Sequence, residues 1–214
     1  MLVVGTLLVR SQSRQTHPVL PLDVLRVAEL RWSALSALVA KAAGMILLVG
    51  LPFLLQTSYG YSPAAAGLVM GTWPLVVLFV GPVSGLLSDR LRPARICICG
   101  IAIAFAGTVT LYLIPPHATE FDFVWRIGLC AFGLGIFYAP NARFLVGSAP
   151  RERTAAVGGL LQTTHITGQM IGSVIAAATL GHSGSSHGTP FLVASVLIAA
   201  SALCCLGMRP FARD

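Results

Sequence analysis

The chain has 214 residues, 56% of them hydrophobic and only 10% charged, with a mean hydropathy of +0.83. Ordinary globular chains carry roughly 25% charged residues, so a water-soluble domain is excluded. The net charge of +7 suits nucleic-acid binders, but the arginines are scattered over short gaps rather than gathered in a stripe, so anionic lipid headgroups replace nucleic acid as the expected partner.

Six apolar windows, at about 33–56, 63–87, 94–115, 122–147, 155–180 and 190–208, reach the ~20 residues needed to cross a hydrocarbon core of about 30 Å. Their separators carry turn chemistry: Tyr59-Gly60-Tyr61-Ser62-Pro63, Arg92-Pro93, Pro115-Pro116, Ala149-Pro150 and Gly181-His182-Ser183-Gly184. The runs show no period-2 alternation, which argues against a barrel. All basic residues except Lys41, Arg126 and Arg143 fall before the first window, between the second and third, between the fourth and fifth, or after the sixth. The gaps 57–62, 115–121 and 182–189 have none. Cytoplasmic loops retain Lys and Arg whereas translocated loops lose them. The pattern predicts an all-α membrane protein of six transmembrane helices, in the inner cell membrane, with both ends cytoplasmic.

In chain order, the first ten residues, MLVVGTLLVR, are too short to span and lack the charged head and cleavage site of a signal peptide. They read as the last turns of a span whose beginning is missing, so the chain reads as a fragment. From Pro18 to Trp32, Asp23, Arg26 and Glu29 recur every third position among leucines and valines, which suits a short interfacial helix. The expected organisation is residues 1–32 as span remnant and linker, 33–209 as a six-helix bundle, and 210–214 as a cytoplasmic tail.

Ionisable groups inside spans cost about 2.5–3.5 kcal/mol on insertion scales, so each needs a reason. Lys41 lies roughly 12 Å into the first span at about 1.5 Å per residue, near the midplane. It either lines a cavity or faces the bundle against backbone carbonyls. Gly81 and Gly85 in the second span have the i, i+4 spacing of a close helix contact, as do Gly168 and Gly172 in the fifth. Asp122 and Arg126 have the favourable order for a helical ion pair and read as structural. Arg143, about one turn from the cytoplasmic end of the fourth span, is placed to snorkel. Gln162, His165 and Gln169 form one polar stripe through the fifth span, facing either a pathway or neighbouring helices. His165 titrates near neutrality and suits a proton relay. His182 and His187 read as solvated loop, so no metal is expected. Cys97, Cys99, Cys130, Cys204 and Cys205 lie inside apolar runs at spacings that suit neither zinc nor disulfides, and read as buried apolar filler. No nucleophile–base pair, metal cluster or phosphate loop is present in the sequence, so neither an enzyme nor a cofactor is expected.

Residues Gly81-Pro82-Val83-Ser84-Gly85-Leu86-Leu87-Ser88-Asp89-Arg90-Leu91-Arg92-Pro93-Ala94-Arg95 resemble the cytoplasmic loop signature of the major facilitator superfamily. In that family the loop latches two helix bundles, which implies this role for Gly85, Asp89, Arg90 and Arg95, with Asp89 pairing to Arg90 or Arg95 or approaching the positive N-terminus of a neighbouring helix. Arg92 and Ala94 depart from the pattern, where the family has Gly and often a basic residue. Leu51-Pro52-Phe53-Leu54-Leu55-Gln56 with Gly60-Tyr61-Ser62-Pro63, and the stretch from Gly133 through Ala139-Pro140-Asn141 to Gly172, are similar to the fourteen-helix drug:proton antiporter branch. His165 stands where that pattern has Arg.

The resemblance implies the C-terminal six-helix half of an efflux transporter, built as two inverted three-helix repeats. Lys41, Gln162, His165 and Gln169 would then line the path of a small-molecule substrate. A missing N-terminal bundle, or a second copy of the chain, is the implied partner. No acidic residue lies deep in a span, so the proton-coupling group is expected in the other half. Two alternatives stay open: a non-transporting membrane subunit or decayed-gene product, and a half-size transporter acting as a homodimer.

Overall fold

The computed structural model describes residues 28–147, 154–181 and 188–207. They form seven helices: α1 (Ala28–Thr57), α2 (Pro63–Met70), α3 (Thr72–Arg90), α4 (Pro93–Tyr112), α5 (Glu120–Gly147), α6 (Thr154–Gly181) and α7 (Thr189–Leu206). At Gly71 the chain stays right-handed helical, and its N–H is shared between the Gly67 and Leu68 carbonyls at 2.9 and 3.1 Å. Pro63–Arg90 is therefore one 28-residue span, and the described residues form a six-helix membrane bundle. Five spans are long and apolar enough to cross a bilayer by length and composition alone. The sixth, α6, is also 28 residues long, but Gln162, His165 and Gln169 dilute its apolar run.

The helix starts follow local chemistry. Ser62 caps α2, its Oγ accepting the Ala65 N–H at 3.2 Å, ahead of Pro63 in the first turn. Thr119 and Asp122 form a reciprocal cap at the head of α5: Asp122 Oδ2 accepts the Thr119 N–H at 3.0 Å, and Thr119 Oγ1 accepts the Asp122 N–H at 3.4 Å. Gly60 turns the chain between α1 and α2 at φ 68°, a conformation that favours glycine.

Among the described residues α1 already includes residues 28–32, ahead of the expected first window at 33. Residues 28–32 are continuous with α1 and do not form a separate interfacial helix. Residues 18–27 of the expected interfacial helix, the remnant of a preceding span, His182, His187 and the 210–214 tail lie outside the described residues.

Lipid offers no hydrophobic drive for helix association, so close packing and hydrogen bonds must hold the bundle together. Glycines supply the closest approaches. On α4 and α5, a Cβ at Gly133 would lie 2.3 Å from the Ala104 nitrogen, and one at Gly107 would lie 2.7 Å from Cys130 Sγ. On α6, a Cβ at Gly168 would meet the Leu38 carbonyl oxygen of α1 at 2.4 Å, and one at Gly172 the Ala42 oxygen at 2.3 Å. Gly81 and Gly85 differ from the expectation of a helix contact, because nothing lies within 4 Å of a Cβ built at either. Their helix turns Val80, Ser84 and Ser88 inward, so the small-residue face is left open.

Buried hydroxyls and an amide tie the helices at about 0.6 kcal/mol per contact. Ser33 Oγ donates to Asn141 Oδ1 at 2.9 Å, linking α1 to α5. Ser201 Oγ donates to the Ser36 carbonyl at 3.0 Å, linking α7 to α1. The link between α3 and α5 has a specific origin. Pro140 has no N–H, so the carbonyl four residues earlier, that of Ile136, loses its helical partner. Ser84 Oγ donates to that carbonyl at 3.0 Å. Four cysteines are buried as expected of filler; Cys99 is exposed on α4, so that reading fails for it.

Candidate substrate-pathway site

Three helices bring Lys41, Tyr138 and His165 together near the middle of the bundle. Lys41 stands on α1 with its Nζ 3.9 Å from the centroid of the Tyr138 ring on α5. His165 on α6 meets the other side of the group, its ring 6.0 Å from that of Tyr138 in an edge-on arrangement. The Tyr138 hydroxyl donates to the Ala40 carbonyl at 3.2 Å, which fixes the ring against α1. All three side chains are half-buried.

Local sequence explains why they can meet. A Cβ at Gly44 would sit 3.4 Å from the Tyr138 hydroxyl, so glycine leaves room for the phenol one turn beyond Lys41. Gly168 lets α6 approach so closely that its missing Cβ would lie 3.0 Å from Lys41 Cβ. Gln162 and Gln169 lie on the exposed side of α6, flanking His165. Thr164 bonds back to the Leu160 carbonyl at 2.8 Å within its own helix. Among the described residues no carboxylate pairs with Lys41; the two side-chain ion pairs found there are Arg126–Asp122 and Arg143–Asp89.

The two ion pairs occupy opposite ends. At the α3–α4 end, Asp89 pairs with Arg143 of α5, not with Arg90 or Arg95, and both side chains are about half exposed. Position 143 lies 54 residues from Asp89 in sequence, and the two meet because α3 packs along α5. Arg90 and Arg95 are exposed nearby, and Gly85 accepts the Ser88 hydroxyl at 2.8 Å through its carbonyl. At the other end, Arg126 Nη1 lies 2.7 Å from Asp122 Oδ1, and its Nε donates to the Thr110 carbonyl of α4 at 3.1 Å. Trp125 lies under the same guanidinium at 4.4 Å. Tyr59 closes this end, donating to the Pro115 carbonyl at 2.8 Å and meeting Phe123 edge-on at 4.9 Å. A cavity of about 260 Å³ opens there between Leu54, Tyr59, Leu111, Tyr112 and Phe191, away from Lys41.

Sequence reasoning missed Tyr138, Asn141 and the partner of Asp89. A Tyr and an Asn three positions apart in one apolar helix, both able to hydrogen-bond, are the available signal for the first two.

Residues 33–213 match the Major Facilitator Superfamily as a sequence family. The chain is 34% identical over 209 residues to the uncharacterized transporter YebQ of Escherichia coli, covering 98% of this chain and 46% of that protein. It is 25% identical over 184 residues to the multidrug efflux pump LfrA of Mycolicibacterium smegmatis, covering 84% and 35% respectively. It is likewise 25% identical over 167 residues to the riboflavin transporter RibZ of Clostridioides difficile, covering 74% and 36%. The chain thus spans less than half the length of these relatives.

Proposed function

The chain belongs to the Major Facilitator Superfamily, and from that premise we propose that it is the C-terminal six-helix bundle of a proton-coupled drug exporter of the fourteen-helix type. The family consists of membrane transporters, and the chain is not an enzyme. One observation carries the reading: almost the whole chain aligns with less than half of a longer transporter. Residues 33–209 are the bundle in this reading, with both ends cytoplasmic, as the arginine-rich gaps favour.

Helix pairing supports two inverted three-helix units. Numbering the spans one to six and exchanging one with four, two with five and three with six maps the main contacts onto one another. The packing of α1 on α6 and α7 answers that of α5 on α3 and α4. In transporters built this way, one bundle rocks against another around a site near the midplane. Lys41, Gln162, His165 and Gln169 line that pathway in this reading, and Tyr138 joins them. The Asp89–Arg143 pair, with Gly85, Arg90 and Arg95 beside it, forms the latch, and Asp122–Arg126 braces the far end. A second copy of the chain is the competing partner in place of the missing bundle.

The test fuses the chain to the N-terminal remainder of the Escherichia coli relative and follows energy-dependent efflux of cationic, neutral and anionic dyes from cells. The expected result is no efflux by the chain alone and efflux by the fusion. In the fusion, Lys41→Ala should alter the range of dyes moved and His165→Ala the pH dependence. Efflux by the chain alone, with a crosslinked homodimer, favours two copies. A correctly inserted fusion that moves no dye overturns the transport reading. Orientation is read in a background with the native cysteines removed: Ser58→Cys should react with an impermeant maleimide from outside, and Ser148→Cys only after the membrane is opened.

A further inference from the structure

We infer that the Lys41–Tyr138–His165 site takes an aromatic monoanion, a planar ring carrying a carboxylate or sulfonate, in preference to an organic cation. The inference rests on the pathway reading above and adds the charge of the ligand. Asp89, Glu120 and Asp122 lie at helix ends, far along the chain from the midspan cluster. Lys41 is therefore a cation in hydrocarbon with no carboxylate facing it among the described residues. A cationic ligand usually needs a carboxylate or a free aromatic face. Here the face of Tyr138 is already taken by the Lys41 ammonium at 3.9 Å.

An anion finds the opposite situation. Its charge neutralises Lys41 where water is scarce and the attraction is least screened. The imidazole of His165, set edge-on to Tyr138, offers a ring on which a flat ligand stacks. The exposed amides of Gln162 and Gln169 on α6 can donate hydrogen bonds to the acid group or to ring substituents. The half-buried state of all three central side chains leaves them reachable from the open face of the bundle.

Lys41 is the one lysine in the sequence, which makes the test direct. The full chain is produced with lysine carrying carbon-13 at the ε position and placed in phosphatidylcholine nanodiscs, where no lipid carries a net negative charge. The single side-chain resonance is then titrated with three compounds that share one ring: 2-naphthoate, 2-naphthamide and 2-naphthylmethylammonium. The expected result is a saturable shift with 2-naphthoate at a Kd at least tenfold below that of the ammonium compound, the amide falling between. By calorimetry, Lys41→Gln should weaken naphthoate about tenfold and the amide by less, whereas Lys41→Arg should keep the charge order. Circular dichroism of each variant confirms that it is folded.

If the ammonium compound binds as tightly as the naphthoate, the charge preference is overturned while the site stands. If none of the three moves the resonance, the site reading falls with it. A carboxylate of a partner bundle is the other source of the same chemistry. Repeating the titration on the fused transporter separates the two: a retained naphthoate shift supports the small anion, and a lost one assigns Lys41 to the partner and overturns the proposal.

Discussion

Arg126 and Lys41 are both cations set into apolar helices, and the bundle treats them in opposite ways. Arg126 is enclosed by its own chain, with a side chain 11% exposed, an ion pair to Asp122, a hydrogen bond across to α4 and a tryptophan beneath it. Its planar fork reaches several acceptors at once, which is what a brace between two helix ends requires. Lys41 has one aromatic ring and an open side. A charge whose partners all lie within the bundle serves the fold. Lys41, left partly unmatched, is the charge to which the proposed ligand is assigned.

The comparison is open to attack at its strongest point first. Arg126→Ala removes the α4–α5 link and leaves the Asp122 carboxylate without its cation, so folded protein recovered after extraction should fall several-fold, with Arg126→Lys in between. Size-exclusion yield and thermal unfolding measure this; an unchanged yield would mean that Arg126 is no brace. Lys41→Gln should act in the other direction. It removes a midspan charge costing about 2.5–3.5 kcal/mol and gives up a cation–π contact worth up to about 2 kcal/mol, a net stabilisation on the order of 1 kcal/mol. A destabilised Lys41→Gln would show that the lysine is held by the fold after all. The smallest effect belongs to Asp89→Asn. Both members of that pair are 53% exposed, so stability should change by less than about 1 kcal/mol. Transport by the fusion should drop nonetheless if the pair is a latch, and unchanged transport would reduce it to a surface contact.

Much of the architecture was legible because spans announce themselves by length and apolarity, and because inserted charges must be explained. The helix ends at Pro63, Pro93 and Gly60 followed from backbone chemistry that needs no tertiary context. The glycines show where legibility stops. Gly81 and Gly85 have the same spacing as Gly168 and Gly172, yet only the latter pair meets another helix. Spacing puts two glycines on one face, but the rotation of the helix within the bundle decides what that face touches. A second close seam is made by Gly107 and Gly133, which lie on different helices and form no motif within either. Asp89 and Arg143 were each read, but not as partners, since their meeting depends on how α3 and α5 dock. Tyr138 was invisible for a different reason: one tyrosine in an apolar helix looks like filler until a lysine is found beside it.

The proline of α5 carries a consequence beyond its own helix. Because position 140 has no N–H, the Ile136 carbonyl is left open to a donor from a separate span, the Ser84 hydroxyl. Ser84→Ala strands that acceptor when Pro140 is present and costs nothing there once Pro140→Ala has restored the helix's own donor. The two positions are therefore thermodynamically coupled, and their effects on stability do not add. The missing proton of one helix is thus part of the docking specificity of another.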